Sequence, residues 1–551
     1  APSVGIDPDQ ERNPPSPPTP LEFPRYDQFA NQGVYSATDF KAISQGLASL
    51  KKPQDFTVEH ARVLNLHVAA DLDASQLVPG QLLKNLAPLP WEETTSPDKP
   101  EQYLMSNGVA YPAVEKYNLV KAELLLENDD AYREAVRVPP KPGRPRVRLT
   151  QSRKFWVGLE KMAQYWDDSL DEYYEKPVNA TEQTNQDQLG EASTAEATTT
   201  DAMDTSETPR DNESSKRVYK GRRIGTGHEM PDDIREETMR GFLEMAAWPF
   251  QCQLAIPSLP PRLLVQRLLF PTRQTLVASR TPLDRQIARK GILEGPMLAV
   301  QCRGQTTFRE AGETFGYGRK EACDLAREVG AMLLLAQERF RDGTSEVKPG
   351  EGKWWTTTPR WGGAPDEGVT GEAAARSEKE KESESEPGDG SVHKRSRYSN
   401  SLMASRRSAR PRKLTPSEKW KILEAGPSLW DKRLIYTQIG KPKDSLYDDI
   451  FMVSQINHHV SILHLRVHRR YIECLTHGVS ETTDGGESEH PWDVLKLRRS
   501  KWYDLMDGEQ RIEAFQGLWR VFHYLMGKKE PDISITSRSF HPDGESKDVD
   551  E

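Results

Sequence analysis

The chain has 551 residues, with 75 Lys and Arg against 84 Asp and Glu and a formal net charge of −9. Only 35% of residues are hydrophobic, against about 45–50% in ordinary globular domains, so part of the chain is expected to pack and part is not. The four cysteines form no CxxC pair, which excludes a zinc ribbon and a disulfide scaffold, and no apolar run approaches the roughly 20 residues of a membrane span.

Residues 1–20 are proline-rich and polar, with too little apolar surface to offset chain entropy, and are predicted to be disordered. Residues 21–174 read as a helical block. Tyr35–Leu50 and Val58–Leu72 have the pattern of short helices. Ala113–Val136 and Phe155–Tyr174 continue it, the latter with Trp156, Leu159, Met162, Trp166 and Leu170 at helical spacing. Residues 175–216 are acidic, rich in Ser and Thr and free of aromatics, the composition of a disordered linker.

Residues 217–363 read as an α+β block. A helix is expected over Pro231–Ala247, since Pro231 suits its first turn and Asp232 and Asp233 suit its dipole. Short apolar runs within 255–310 read as strands of a small sheet. Arg319–Arg341 has one apolar face and reads as a helix. Residues 364–413 form a second expected disordered linker, acidic and then basic. Residues 414–530 read as helical. Asp448–Thr476 places Val453, Ile456, Val460, Leu463 and Val467 on one stripe, and Pro491–Leu505 and Gln510–Met526 follow. Residues 531–551 are an acidic tail expected to be disordered. The expected fold class is therefore mostly α with a small α+β middle block, in a multi-block chain with long disordered linkers.

The connector 137–154 carries seven basic residues and no acidic one. Its centre, Lys141-Pro142-Gly143-Arg144-Pro145-Arg146-Val147-Arg148, resembles an AT-hook. In that family a Gly-Arg-Pro core lies extended in the minor groove of A·T-rich duplex. The residues make that chemistry intelligible. Gly143 permits close backbone approach, Pro145 holds an extended path, and Arg144 and Arg146 suit a narrow groove of enhanced negative potential. Lys141 and Arg148 would meet phosphates. The resemblance implies weak, non-specific contact with A·T-rich DNA. Pro142 stands where the family usually has a basic residue.

A second basic run contains Lys394, Arg395 and Arg397, then Arg406, Arg407, Arg410, Arg412 and Lys413, with no acid among them. Two clusters and a spacer fit a bipartite nuclear import signal. A shorter strip, Arg217 to Arg223, reads as a phosphate contact or as the charged entry to a folded block. Trp354, Trp355 and Trp361 stand beside the second linker and are candidate anchors for a partner.

Other motifs carry less. His464 and His468 stand four apart, as two zinc ligands on a helix would, but lack the Glu of an HExxH site and are flanked by Arg466, Arg469 and Arg470. His458 and His459 are adjacent. Gly312, Gly316 and Gly318 precede a helix but miss the phosphate-loop spacing. No metal site, cofactor or membrane partner is expected, and no local catalytic motif stands out.

The sequence therefore reads as a nuclear, chromatin-associated accessory or scaffold subunit of a multiprotein regulatory complex in transcription or chromatin remodelling. Its partners would be other nuclear proteins and A·T-rich DNA. Two alternatives stand beside it. One is an enzyme within 217–363. The other is a sequence-specific transcription regulator using a helix over Ile462–Glu473.

Overall fold

The computed structural model describes residues 6–30, 37–50, 55–83, 86–92, 103–177, 215–257, 261–266, 268–341, 434–442, 445–479 and 492–529. Helices α1 (Phe40–Ser49) and α2 (Val58–Arg62) precede strand β1 (Leu66–Leu72). Next come α3 (Val114–Leu124), α4 (Asn128–Ala135) and α5 (Arg153–Trp166), then the antiparallel pair β2 (Glu172–Pro177) and β3 (Ser215–Lys220). After α6 (Asp232–Ala247) follow β4 (Cys252–Ala255), the pair β5 (Arg262–Val265) and β6 (Leu268–Pro271), and β7 (Leu276–Arg280). A short α7 (Arg285–Arg289) leads to β8 (Ile292–Arg303) and the long α8 (Arg319–Arg341). The remaining elements are β9 (Ile435–Thr437), β10 (Tyr447–Ile456), β11 (His459–His468), α9 (Arg469–His477), β12 (Leu495–Ser500), β13 (Tyr503–Asp504) and α10 (Gly508–Met526).

A nine-stranded mixed sheet organises these elements in the order β1-β12-β11-β10-β8-β7-β4, with β13 on β11 and β9 on β8. This overturns the mostly helical expectation. Asp448–Thr476, expected as one helix, is the β10–β11 hairpin followed by α9. Pro491–Leu505 supplies β12 and β13, and the second half of Val58–Leu72 is β1. For the β10–β11 hairpin the cause is burial on both faces. In β10, Ile450 and Met452 pack into one core while Phe451 and Val453 pack into the other. Such a strand reads as a nearly continuous apolar run, and its period of two is lost. The abundance of Val and Ile was the strand signal within it. The helices α6, α8 and α10 do lie where their apolar stripes place them.

Strands from 21–174, 217–363 and 414–530 share this one sheet. β1 runs parallel to β12, with Leu66 opposite Leu495, and β10 runs parallel to β8, with Phe451 opposite Leu298. One face is covered by α3 to α6 and α10, the other by α1, α2, α8 and α9. Residues 6–20, expected to be disordered, have packed positions. Arg12 exchanges two backbone hydrogen bonds with Tyr219, and the Ser16 carbonyl accepts one from Arg223. Composition cannot reveal this, because the partners lie far along the chain. Residues 178–214, 342–433 and 530–551, which hold most of the expected linkers and tail, lie outside the described residues.

The four cysteines are buried and free. Helix α8 is buried almost all round, and its acids meet cations from the sheet. Glu328 accepts from Arg303 Nη2 at 2.9 Å and from Arg499 Nη1 at 2.5 Å, while Asp324 pairs with Arg303. Ser454 of β10 donates to the same Glu328 carboxylate. Burial raises the Glu328 carboxyl, but the two arginines outweigh it and hold the group below its usual range. Asp324 is raised, because burial dominates there.

Strands β1, β8, β10, β12 and β13 point the same way, so their carboxyl ends gather at one edge. In open α/β sheets that edge is where ligands bind.

Candidate functional site

A cleft of about 700 Å³ opens at this edge. Its walls are the α3–α4 connection, the end of α5, the loop after β3, the tip of the β10–β11 hairpin and the β13–α10 connection. The volume falls within the range of small-molecule sites. A second cavity, beside Phe56 and Leu333, holds about 20 Å³, room for about one water.

The hairpin tip is built by Asn457 and His458, between the paired Ile456 and His459. Asn457 takes the left-handed backbone, φ 52°, that Asn tolerates better than most residues. It is fully buried and held on several sides. Its amide nitrogen donates to the Arg303 carbonyl, its Oδ1 accepts from Arg235, and its Nδ2 donates to the Gln305 carbonyl. The Leu505 amide donates to the His458 carbonyl at 2.9 Å. The two histidines therefore stand on a fixed platform.

Asp504 faces them. The β11–β13 pairing sets His459 opposite Asp504. His459 Nε2 lies 3.8 Å from Asp504 Oδ2, and His458 Nε2 lies 4.0 Å from Oδ1. Asp504 Oδ1 accepts from the Met506 amide at 2.8 Å. The imidazoles lie 4.2 Å apart, with Trp166 beside His458 and Phe23 beside His459. Burial drives both imidazoles down to about 3, so they are neutral, and burial raises the Asp504 carboxyl. These three residues are the set with metal-ligand chemistry among the described residues.

The rest of the cleft is acidic. Seven carboxylate residues line it against two arginines, Arg222 and Arg511. Both arginines are already engaged. Arg511 donates to the Leu124 and Leu505 carbonyls and to Asn128 Oδ1. Arg222 donates to Asp129 at 2.6 Å and covers the Tyr132 ring. Burial raises the Asp129 carboxyl, but Lys141 and Arg222 more than offset this and lower it. At the lip, the carboxylates of Glu127, Asp168 and Glu509 are exposed and make no ion pair among the described residues. Trp166, Met506, Leu125 and Leu170 supply apolar wall, the last two substantially exposed.

The hook-like segment lies on the surface next to α4. Pro142 and Gly143 form a turn, with Gly143 at φ +80° and the Arg144 amide donating to the Lys141 carbonyl. Lys141 pairs with Asp129, Arg144 with Asp130 and Arg146 with Glu134, while Pro145 and Arg148 are exposed. Of the basic strip, Arg222 and Arg223 are buried, and Arg223 pairs with Asp171 at 2.5 Å. These two are internal partners rather than a phosphate contact. The glycine loop before α8 gives its amides to its own acids. Gly318 donates to Glu321 and Arg319 to Glu313.

His464 and His468 stand on strand β11, not on a helix. His464 bonds Asp449 at 2.8 Å and His468 caps α9. The stretch expected as a recognition helix is strand up to His468. Beyond it Arg469 bonds Glu473, and Arg470 covers Trp492. The import-like residues Lys394, Arg395, Arg397, Arg406, Arg407, Arg410, Arg412 and Lys413 lie outside the described residues, as do Trp354, Trp355 and Trp361. Asp504 and Asp168 were missed by sequence reasoning, and Arg222 was read only as part of a basic strip. Only the adjacency of His458 and His459 was visible there. No protein-family model matches the chain, and neither a curated protein nor a solved structure matches it.

Proposed function

We propose that this protein binds a small organic cation, an amine or guanidinium on a short alkyl body, in the cleft at the carboxyl edge of the sheet. One observation carries this reading: a cleft of about 700 Å³ with seven acidic residues against two engaged arginines. A cleft lined by one sign of charge focuses its field and concentrates counter-ions. Glu127, Asp168 and Glu509 offer free carboxylates, and Leu125, Leu170 and Met506 offer apolar surface to an alkyl chain. Thermal-shift titration with a panel of alkylamines and alkylguanidines tests it. Stabilisation should fall about tenfold in potency in the Glu127→Gln, Asp168→Asn double variant, whose side chains support no described contact. An unchanged response in that variant would remove the cleft as the site.

A second reading keeps the nuclear role, as an accessory subunit with weak A·T-rich DNA contact. The exposure of Arg144, Pro145, Arg146 and Arg148 supports it. The ion pairs of Lys141, Arg144 and Arg146 would have to exchange for phosphates. Binding to A·T-rich duplex should therefore weaken in Arg146→Ala, with the salt slope reduced by about one. Unchanged binding would return the segment to a connector.

A further inference from the structure

We propose that His458, His459 and Asp504 bind one divalent transition-metal ion, zinc or a d-block neighbour, at the inner wall of the cleft. The site goes beyond the organic-cation reading and stands on different residues, so either can fail alone.

The three donor atoms lie within 4.8 Å of one another, and the two Nε2–carboxylate distances are 4.0 and 3.8 Å. Those gaps are too long for hydrogen bonds. A tetrahedral centre with bonds of about 2.1 Å spaces its ligands about 3.4 Å apart, so the two His–Asp gaps must close by about half an ångström, and the widest donor separation, no more than 4.8 Å, by about 1.4 Å at most, to seat an ion.

His458 is only 9% exposed, yet its ring makes no hydrogen bond among the described residues. Its Nδ1 is buried without a partner, and its Nε2 is turned towards Asp504. His459 Nδ1 is likewise without a partner. A buried polar ring left so costs stability and calls for an explanation. An ordinary His–Asp hydrogen bond is not that explanation, because the Nε2–carboxylate gaps are 4.0 and 3.8 Å. Neutral imidazole is the form that ligates metal.

Asp504 accepts one backbone hydrogen bond, and the Arg511 guanidinium has its donors turned to Leu124, Leu505 and Asn128. Among the described residues the half-buried carboxylate makes no ion pair with a lysine or arginine, in a cleft that is already negative. Two imidazoles and a carboxylate select zinc, cobalt or iron over magnesium and calcium, which take oxygen ligands. Three protein ligands leave a coordination position open, the arrangement of a reactive rather than a closed structural site, and two of them, His458 and Asp504, line the cleft.

The test uses the full chain, treated with EDTA and dialysed. Zinc chloride and cobalt(II) chloride are titrated calorimetrically, and the cobalt absorption spectrum is recorded. The expected result is one equivalent of each ion, with a cobalt spectrum of nitrogen and oxygen ligation. His458→Gln, His459→Gln and Asp504→Asn should each weaken zinc by at least tenfold, and His477→Gln should not. If a variant does not fold, His459→Cys serves instead, since a thiolate ligand adds a cobalt charge-transfer band. Absence of stoichiometric binding to the wild-type chain would overturn the proposal. So would zinc affinity unchanged in folded His458→Gln and His459→Gln, or a His459→Cys spectrum without the new band.

Discussion

His459 and Asp504 stand opposite each other in the β11–β13 ladder, with His459 Nε2 3.8 Å from Asp504 Oδ2. The pairing of a two-residue strand, not proximity in the chain, creates that meeting. It brings the turn of the β10–β11 hairpin against the segment that leads into α10. Asp507 then caps α10 by accepting from the Glu509 and Gln510 amides, which fixes the floor of the cleft.

Beneath this edge, Glu328 joins three strands to α8 through Arg303, Ser454 and Arg499. Removing one charge from such a network leaves the others buried and uncompensated. Glu328→Gln should cost about 3–5 kcal/mol in urea unfolding. A loss below about 1 kcal/mol would mean that water reaches the two arginines.

How much of this was legible in the chain differs by element. Helices α6, α8 and α10 could be read because their apolar stripes and starting residues agree. The β10–β11 hairpin could not, because Ile450, Phe451, Met452 and Val453 feed both cores in alternation. β12 was hidden for another reason: its six residues hold two core leucines, Leu495 and Leu497, alternating with the half-buried Lys496 and Arg498, too short a run to stand out. The cleft was less legible still. His458 and His459 are neighbours in sequence, but Asp504 meets them only through tertiary pairing, and Asp168, Asp129 and Arg222 join the cleft from distant segments. The whole-chain charge of −9 could not reveal an acidic cleft beside a basic surface strap.

Gly227 packs against the indole that forms part of the cleft wall. A Cβ there would lie 2.3 Å from Cζ2 of Trp166. Gly227→Ala should push the indole aside, lower the melting temperature through about 1–3 kcal/mol of overpacking, and weaken cation binding severalfold. Wild-type stability and binding in this variant would show that Trp166 moves freely.

His523 of α10 is buried and donates from Nε2 to the Ala87 carbonyl at 2.8 Å. Burial lowers its imidazole from 6.5 to about 4, helped by Lys529 and Arg520 and opposed by the Ala87 bond. The folded form therefore binds fewer protons than the unfolded one between those values. Its stabilising effect is intact above pH 6.5 and is lost as the pH falls towards 4. The loss is at most about 3 kcal/mol. Unfolding curves across this window should show the wild type losing stability relative to His523→Gln. Parallel curves would assign the acid sensitivity elsewhere.

The most direct test of the account is calorimetric titration of the full chain with butylguanidinium and butylammonium against butyrate and butanol. The cleft requires saturable binding of the two cations, weakened by added salt and by the Glu127→Gln, Asp168→Asn substitutions, and no binding of the anion or the alcohol. Equal heats for cation and anion, or none for either cation, would contradict it.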